Sequence, residues 1–323
     1  AYGYANIFSR KIMTRDTIFD LASLTKPLAT TLAVISLIQQ KKLKLDQYLG
    51  TVLPLFKKSD KGNIKIKDLL CHQSGFPDYR PYYEKLCKLS FKERKTALKG
   101  FLAKESLQSL PGKTALYSDL GFMILGLVVE SVSGMRLDHF VTDLIYRPLG
   151  IYDIFFIDLC LGFRHGFFAA TEFCPWRNLL LEGVVHDENA YAMGGIAGHA
   201  GLFGTAGGLY ILLKELLSVF QGSKISKVFR KELLVEFFKR RNNTDRTYGF
   251  DTPSPTKSSS GIYFSKKSVG HLGFTGTSFW MDIDDSIIII LLTNRVHPLR
   301  DNNRIQAFRP ELHNAVMEFM SNA

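Results

Sequence analysis

The sequence lacks any apolar run long enough to cross a membrane as a helix. Its longest apolar stretches cover residues 27–38, 120–129 and 287–292, whereas a membrane-spanning helix needs roughly 20 residues. The four cysteines include no CxxC pair and are too few for a disulfide framework in 323 residues. None of them lies near histidines at the spacing of a zinc site. We therefore expect no integral membrane segment, no disulfide framework, and no metal or other cofactor.

Acidic residues are the scarcer charge in this sequence. It has 30 Asp and Glu against 41 Lys and Arg, which leaves a formal net charge of +11. A basic excess can accompany binding to nucleic acids or anionic surfaces. Here the basic residues are scattered. None forms a block of five or more, and no nucleic-acid-binding motif accompanies them. We interpret the charge as a solvated basic surface and expect no nucleic-acid partner.

A signal peptide is also missing from the start of the sequence. The segment Ala1–Phe8 has the pattern of a chain that is already within a strand. We therefore expect that residues preceding Ala1 have been lost or trimmed. The missing signal then says little about where the protein resides.

Helical patterns dominate the middle of the sequence. Apolar residues continue for four turns after Ser23, which predicts a helix over Ser23–Gln40 with Pro27 in its first turn, where a missing N–H costs little. Further helices are predicted over residues 64–71, 91–103, 119–133, 137–145, 207–220, 226–238 and 310–321. Between them, residues 186–210 are rich in glycine, which indicates tight turns or a close approach of the backbone to a neighbour.

Strand patterns occur at both ends of the chain. Residues 1–8 and 17–20 predict a hairpin, and residues 261–265, 269–282 and 286–293 predict three more strands. The last of these is a continuous β-branched run, typical of a central buried strand. We therefore predict an α+β fold in which an antiparallel sheet is formed from both chain ends and is flanked by helices. Residues 1–26 and 246–323 would form the sheet region, residues 27–245 the mainly helical region, with the active site between them.

The most suggestive local pattern is Ser23-Leu24-Thr25-Lys26 at the predicted start of a helix. A serine hydroxyl is a poor nucleophile until a base removes its proton. The i, i+3 spacing puts both side chains on one helix face, so the Lys26 amine can reach Ser23 Oγ. Burial and neighbouring positive charge would lower the pKa of Lys26 and make it such a base. Because Ser-x-x-Lys also occurs by chance, the alternative is a helix cap followed by a solvated lysine.

Two further segments contain residue types suited to the same chemistry. Tyr117-Ser118-Asp119 comes just before a predicted helix, where Tyr117 could act as a second base or proton relay. His271-Leu272-Gly273 lies in a glycine-rich strand, where the backbone of Phe274 could lie close to a substrate. Taken singly, Tyr117 is better explained as a core aromatic, and His271 as a hydrogen-bonded strand histidine.

Taken together and in this order, the three segments resemble the serine β-lactamases and penicillin-binding enzymes. The resemblance is to the class C-like branch, which also holds DD-peptidases and esterases, and it extends over nearly the whole chain. It includes Leu69-Leu70-Cys71-His72-Gln73-Ser74-Gly75, which is similar to the family's LLxHxSG segment. Ser-x-x-Lys, with the serine as nucleophile, is among the motifs of this group. The resemblance implies a β-lactamase/transpeptidase-like fold.

The resemblance also implies roles for individual residues. Ser23 would be the acylated nucleophile, Lys26 its proton acceptor, and Tyr117 an aid to acylation and to activation of the deacylating water. The oxyanion hole would consist of the backbone N–H groups of Ser23 and Phe274. Substrate would also meet the residues around it, namely Asp119, His271, Gly273 and Thr275.

Two positions depart from the family pattern. Asp119 stands where Asn is common, which replaces a neutral amide with a carboxylate beside the site. His271 stands where many members have the Lys of a Lys-Thr-Gly triplet, which removes a permanent cation that could hold a substrate carboxylate. Both departures weaken an assignment as a β-lactamase.

The segment from His186 to Phe203 resembles a narrower branch of the family, found in bacterial cell-wall recycling. That branch includes muramyl-L-alanine amidases and weak DD-carboxypeptidases. His186, Glu188 and His199 are also residue types that bind metals. We favour the interpretation that they are hydrogen-bonded to one another and support a glycine-rich wall of the cleft.

These patterns predict a serine hydrolase that cleaves an amide or ester through an acyl-enzyme on Ser23. Its substrate would be a β-lactam, a peptidoglycan-derived peptide or muramyl amide, or a small ester. The alternative is a catalytically weak protein that binds wall peptides or β-lactams. The resemblance implies a bacterial protein of the periplasm or cell envelope, with the cytoplasm left open, and the oligomeric state is not predicted.

Overall fold

The computed structural model describes residues 1–162, 164–242 and 244–321. Within these ranges the strands are β1 (Tyr4–Asn6), β2 (Lys11–Ile12), β3 (Phe19–Asp20), β4 (Ile154–Phe156), β5 (Phe173–Cys174), β6 (Leu179–Leu180), β7 (Leu202–Gly204), β8 (Val269–Leu272), β9 (Ser278–Asp282) and β10 (Ile287–Leu291). The α-helices are α1 (Leu32–Gln39), α2 (Leu49–Val52), α3 (Ile66–Leu70), α4 (Tyr83–Leu86), α5 (Phe91–Lys104), α6 (Asp119–Ser133), α7 (Leu137–Val141), α8 (Glu188–Ala192), α9 (Ala206–Gln221), α10 (Lys231–Phe238) and α11 (Ile305–Ser321). Short 3-10 helices cover Ala22–Leu24, Pro54–Phe56, Asp60–Asn63 and Arg147–Leu149, and π-helical turns cover Lys26–Thr31 and Thr142–Tyr146.

The mixed helical and antiparallel architecture confirms the predicted α+β fold class. The strands pair as β1-β2, β3-β7-β4, β5-β6 and β8-β9-β10, and every one of these ladders is antiparallel. The two ends of the chain lie close together, because Asn294 Nδ2 donates to the backbone carbonyl of Ala5 at 3.2 Å. Strands from the middle of the chain also contribute to the sheets, since β4 and β7 pair in the same ladder as β3. The division of the chain near residues 26 and 246 stays a prediction.

The N-terminal hairpin differs from the predicted pairing. β1 pairs with β2 through a turn in which Arg10 has a φ of 55°, so the hairpin closes before residues 17–20 are reached. The predicted partner, residues 17–20, instead forms β3, in which Phe19 pairs with Gly204 and Asp20 with Phe203. This pairing brings the glycine-rich segment beside the start of the Ser23 helix.

Helix α6 lies at the centre of the helical part of the core. Its N-terminus is capped by Ser118, whose Oγ accepts a hydrogen bond from the Gly121 N–H at 3.2 Å, and it ends at Gly134 with a φ of 71°. All residues from Leu120 to Val129 are buried, and α1, α3 and α7 pack around them. Because this helix begins directly after Tyr117 and Ser118, its burial fixes the position of that segment.

The C-terminal sheet corrects three expectations about strands. The predicted strand over 261–265 is absent from the described chain, and the run 269–282 is divided into β8 and β9 by a turn. β10 is at the edge of its ladder, not at its centre. Its unbroken apolar sequence has another cause: Ile289 packs with Trp280 and Met317 of α11, while Ile288 and Ile290 face the main core.

Helix boundaries near prolines differ modestly from the predictions. The helix after Ser23 is present over residues 22–39, but its first turns are 3-10 and π-helical before α1 begins. The last helix begins at Ile305, so Pro310 lies inside it and not in its first turn. No single helix in the described ranges is long and apolar enough to cross a membrane; α6 and the following residues 137–149 together reach that length and hydropathy, but they meet at 72°.

Candidate active site

Ser23 lies on a tight turn at the end of β3. The residue before it, Ala22, has a φ of 46°, a left-handed conformation that is uncommon for a residue other than glycine. Asp20 Oδ1 holds this turn by accepting the Ala22 N–H at 2.8 Å, and the Leu21 carbonyl accepts the Leu24 N–H at 3.0 Å. The turn leaves the Ser23 side chain partly exposed at the head of the helix.

Lys26 is completely buried beneath Ser23, and its Nζ has three oxygen partners. It donates to Ser23 Oγ at 3.0 Å and to the His199 carbonyl at 3.2 Å, and it forms an ion pair with Asp119 Oδ1 at 2.7 Å. An ammonium group has three N–H donors and no acceptor. The surroundings of Lys26 are therefore suited to its protonated form.

The electrostatics of Lys26 differ from the expectation drawn from the sequence. Burial by itself lowers the pKa of Lys26, but the carboxylate of Asp119 and the hydroxyl of Tyr117 outweigh burial and raise the pKa above its usual value. The sequence-based hypothesis required neighbouring positive charge, and that part was wrong. The physical reason is that the nearest charged neighbour is a carboxylate, which favours the ammonium.

Tyr117 lies against Lys26 in a partly buried position. Lys26 Nζ is 4.8 Å from the centroid of the Tyr117 ring, and the His72 ring packs on it with centroids 4.6 Å apart. His72 Nδ1 accepts the Ser118 N–H at 3.0 Å, so the LLxHxSG segment supports the tyrosine loop from below. Burial raises the pKa of Tyr117 despite the opposing effect of Lys26, so the phenol is neutral near pH 7.

The turn between β8 and β9 is held against the segment that contains Ser23. The Gly273 N–H donates to the Thr277 carbonyl at 2.7 Å, and Thr275 Oγ1 donates to the Asp20 carbonyl at 2.7 Å. A Cβ at Gly273 would lie 2.1 Å from Thr277 Oγ1 and 2.8 Å from the Leu21 carbonyl oxygen. Only glycine permits this approach. Thr275 is buried and its hydroxyl is engaged with the protein, so its contact is with β3.

Phe274 is half exposed at the tip of this turn. Its carbonyl accepts Arg295 Nε–H at 2.8 Å, and its ring lies 4.5 Å from Arg295 Cζ and 5.5 Å from the His186 ring, measured between centroids for the latter. Within the described part of the chain, neither the Phe274 N–H nor the Ser23 N–H donates to a protein acceptor. Both groups are free to donate to a bound molecule.

His271 is buried in β8 and is a neutral group at ordinary pH. Burial lowers its pKa to about 4, with Lys26 and Arg246 acting in the same direction and Asp251 opposing them. Its Nδ1 lies 2.9 Å from the Leu272 carbonyl, which can only accept, so Nδ1 has the hydrogen and Nε2 is an acceptor. His271 therefore does not supply the cation that a lysine would provide there.

His186, Glu188 and His199 do not bond to one another, which corrects the expected network. Each bonds to a residue outside the trio: His186 to Glu172 at 3.1 Å, Glu188 to Arg300 at 2.6 Å, and His199 to Asp187 at 2.9 Å. Across the described ranges, no three His, Cys, Asp or Glu side chains are grouped as a metal site would require. The glycine-rich segment packs closely on α6, because a Cβ at Gly198 would lie 2.1 Å from the Phe122 carbonyl oxygen. Its role as a wall of the cleft stays a prediction.

Two residues that position the site were not predicted from the sequence. Asp20 is buried, and its Oδ2 accepts the His186 N–H at 2.6 Å while its Oδ1 holds the turn before Ser23. Arg309 is buried in α11 and donates to the carbonyls of Gly273 and Thr277, each at 2.9 Å. A carboxylate between apolar residues was a usable signal for Asp20, whereas the surroundings of Arg309 in the sequence gave none.

The chain is similar to known proteins over nearly its whole length. The model of the family described as Beta-lactamase matches residues 1–312. The chain belongs to the β-lactamase family. It is 35% identical over 315 residues to a protein of Escherichia coli (strain K12) named "Putative D-alanyl-D-alanine carboxypeptidase", with 89% of this chain and 71% of that protein covered.

Solved structures show the same fold at lower identity. EstCE1, described as a hydrolase with promiscuous acyltransferase activity, superposes with a TM-score of 0.71 at 22% identity and covers 95% of this chain and 88% of its own. The penicillin-binding protein from Bacillus halodurans has a TM-score of 0.68 at 20% identity and covers 97% of this chain and 91% of its own. The predicted family and fold class are thereby confirmed.

Proposed function

We propose that this chain is a serine hydrolase that forms an acyl-enzyme on Ser23. The observation that supports the proposal most directly is the 3.0 Å hydrogen bond between the buried Lys26 Nζ and Ser23 Oγ. The N–H groups of Ser23 and Phe274 have no acceptor among the described residues and would form the oxyanion hole. This arrangement joins a nucleophile, a proton-transfer group and oxyanion donors, which acyl transfer requires.

In the proposed reaction, Lys26 first releases to solvent water the proton that its ion pair with Asp119 stabilises. The neutral amine then accepts the Ser23 proton while Ser23 Oγ bonds to the substrate carbonyl carbon. The bond to the leaving group breaks, and the leaving group takes that proton from Lys26 by way of Tyr117. A water molecule then bonds to the acyl carbon and gives a proton to Lys26 by way of Tyr117. The bond from that carbon to Ser23 Oγ breaks, and Lys26 returns the proton to Ser23 Oγ. The N–H groups of Ser23 and Phe274 hold the oxyanion in both steps.

The substrate class follows from the relatives. The 35% identical relative, named as a carboxypeptidase of D-alanyl-D-alanine, supports a peptide derived from peptidoglycan. The likeness to EstCE1, described as a hydrolase with promiscuous acyltransferase activity, is at 22% identity and concerns the fold, so it does not favour a small ester. We therefore favour a wall-derived peptide or muramyl amide over a β-lactam or a small ester.

One observation favours the alternative of a weakly catalytic binding protein. The Lys26–Asp119 ion pair keeps the expected base protonated in the free protein. A protein with this pair would still bind an acyl donor but would acylate slowly near pH 7. The serine hydrolase and the weakly catalytic binding protein would therefore differ in their acylation rate, and their side chains would occupy the same positions.

The test is covalent labelling of the chain with a fluorophosphonate and with a fluorescent penicillin. We expect the wild type to be labelled on Ser23, S23A to be unlabelled, and the exposed-site control S9A to be labelled like the wild type. Mass spectrometry of the adducts and products formed with muropeptides, a cephalosporin and short-chain esters then identifies the preferred substrate. A folded wild type that neither reagent labels, and that hydrolyses no ester, would support the binding protein instead.

A further inference from the structure

A cavity of about 330 Å³ lies between α5, α6 and residues 193–199 of the glycine-rich segment. Its lining is mainly apolar and includes Leu98, Met123, Leu127, Leu137, Met193 and Ile196. An apolar cavity of about 150 Å³ is already large enough to bind benzene. This cavity therefore has room for an aromatic ring with a short alkyl chain, and its apolar side chains have no part in the proposed reaction.

His199 lines this cavity and has one ring nitrogen without a partner. The residue is buried, and its Nε2 lies 2.9 Å from Asp187 Oδ1. Its Nδ1 is also buried, and it has no hydrogen-bond partner among the residues that the structure describes. Because a carboxylate only accepts, Nε2 has the hydrogen, and Nδ1 of the neutral ring is an acceptor. A bound donor would remove the free-energy cost of leaving this acceptor unpaired.

The charged residues of the lining favour a neutral donor. Glu130 and Asp158 are its carboxylates, and they are paired with Lys95 and Arg136. An ammonium ligand would therefore find no unpaired carboxylate. Lys92 has no ion pair with any described side chain, but it is exposed, so it would stabilise a bound carboxylate only weakly. A carboxylate also has no hydrogen to donate to the ring nitrogen, whereas a hydroxyl group has one.

The cavity is separated from the reacting groups by the backbone of Gly198 and His199. The Gly198 carbonyl accepts a hydrogen bond from Thr30 Oγ1 at 2.6 Å, and the His199 carbonyl accepts one from Lys26 Nζ at 3.2 Å. Ser23 is not among the described residues that line the cavity. The cavity therefore adjoins the Ser23 helix from behind and is distinct from the position where Ser23 would meet its substrate.

We propose that this cavity binds a neutral alkylphenol, whose hydroxyl group donates to His199 Nδ1. The aromatic ring and alkyl chain pack against the apolar side chains of α5 and α6, and their removal from water drives binding. The hydroxyl group supplies the one hydrogen that the buried ring nitrogen lacks. The site goes beyond the proposed function, because binding there involves neither Ser23 nor an acyl group.

Four ligands of similar shape test the proposal. 4-Ethylphenol has the hydroxyl group, and 4-ethyltoluene replaces it with a methyl group of similar size. 4-Ethylbenzylamine presents an ammonium group, and 4-ethylbenzoate presents a carboxylate. Binding to the full chain is measured by calorimetric titration at about pH 8, where an ordinary histidine is neutral. We expect 4-ethylphenol to bind more tightly than either charged ligand. Tighter binding of the ammonium or of the carboxylate would overturn the ligand class.

His199→Phe removes the acceptor and keeps a ring in its place. We expect the ratio of 4-ethylphenol affinity to 4-ethyltoluene affinity to fall by about 3- to 10-fold, the usual effect of losing one hydrogen bond. His313→Phe is the matched control: His313 is also buried and also has one ring nitrogen without a described partner, but it lies in α11 and outside the cavity. Its ratio should equal that of the wild type. An unchanged ratio in folded His199→Phe would overturn the proposal.

The hydrogen bond can also be observed in the wild type, which covers the case in which His199→Phe does not fold. Nitrogen NMR of the histidine rings should show one unprotonated ring nitrogen whose resonance moves on addition of 4-ethylphenol and stays in place with 4-ethyltoluene. The same resonance moving equally with both ligands, or with neither, would contradict a hydrogen bond from the hydroxyl group.

A substitution that fills the cavity tests where the ligand lies. Leu127→Trp places a larger side chain in the lining and should abolish binding of both neutral ligands, whereas Leu144→Trp, at an exposed leucine, should bind like the wild type. Urea unfolding checks that both variants are folded. Binding retained by folded Leu127→Trp would place the ligand elsewhere and overturn the proposal. Failure of the proposed function would look different, since Ser23 would remain unlabelled while these binding results stayed the same.

Discussion

Lys26 Nζ and Asp119 Oδ1 form a 2.7 Å ion pair directly beneath Ser23. Because Asp119 raises the pKa of Lys26, activity that needs the neutral amine should increase with pH. Asp119→Asn removes the carboxylate charge and leaves burial to lower the pKa of Lys26. We expect the acid limb of the acylation profile to move to lower pH, with acylation at pH 7 faster by about tenfold for each unit by which that pKa falls.

The measurement is the rate of fluorophosphonate labelling between pH 5 and pH 10. Asp60→Asn is a matched control, since Asp60 also pairs with a lysine at 2.7 Å but lies away from the site. Its profile should coincide with that of the wild type. If the acid limb of Asp119→Asn stayed in place or moved to higher pH, the ion pair would not govern the protonation of Lys26.

Replacing Lys26 itself tests its role in proton transfer. Lys26→Ala removes the group that reaches Ser23 Oγ, and we expect acylation to slow by about 100-fold or more. The control is Lys61→Ala, since Lys61 is also a buried lysine in an ion pair with an aspartate. Both variants should lose stability in urea unfolding, but only the first should lose labelling. Full labelling of Lys26→Ala would exclude it as the proton acceptor.

The sequence was sufficient to predict the residues that chemistry constrains most. Ser23, Lys26 and Tyr117 were selected by their order and spacing together with the family resemblance. The structure places Lys26 against both Ser23 and Tyr117, and their catalytic roles stay predictions. The helix starting at residue 119 was predictable because an unbroken buried run from Leu120 to Val129 is a strong pattern. The pairing of β3 with β7 was not, because two-residue strands contain too little pattern to select a partner so distant along the chain.

The charge of the site was harder to predict than its shape. Asp119 was recognised as a departure, but its distance from Lys26 depends on how α6 packs against the Ser23 helix. Arg246 lies in a polar loop whose sequence gives no periodic signal, and only the bridge between residues 246 and 251 places it over Tyr117. Electrostatic effects change steeply with distance, so they follow from tertiary contacts and not from spacing along the chain.

The turn at Gly273 should be intolerant of any side chain. Gly273→Ala places a Cβ 2.8 Å from the Leu21 carbonyl oxygen, so the turn must move away from the Ser23 segment. We expect labelling to slow by about 100-fold, since a displacement of about 1 Å in a group that positions the reaction can cost that much. Gly100→Ala is the matched control, because a Cβ there meets nothing within 4 Å and Gly100 lies inside α5. It should label normally and gain about 0.5–1 kcal/mol of stability. Equal labelling of the two variants would contradict the oxyanion role.

His271 should make folding stability depend on pH in a defined window. Its pKa is about 4 when folded and 6.5 when exposed, so the unfolded chain binds more protons between these values. Stability should therefore be fully present above pH 6.5 and decrease as the pH falls towards 4, with a loss of about 2 kcal/mol between pH 7 and pH 5 from this residue. His271→Gln should remove that part of the loss, whereas His139→Gln, at an exposed histidine, should retain it. Urea unfolding of the three proteins at pH 7 and pH 5 measures the difference. If the wild type and His271→Gln lost the same stability on acidification, His271 would not be the buried neutral group that the structure shows.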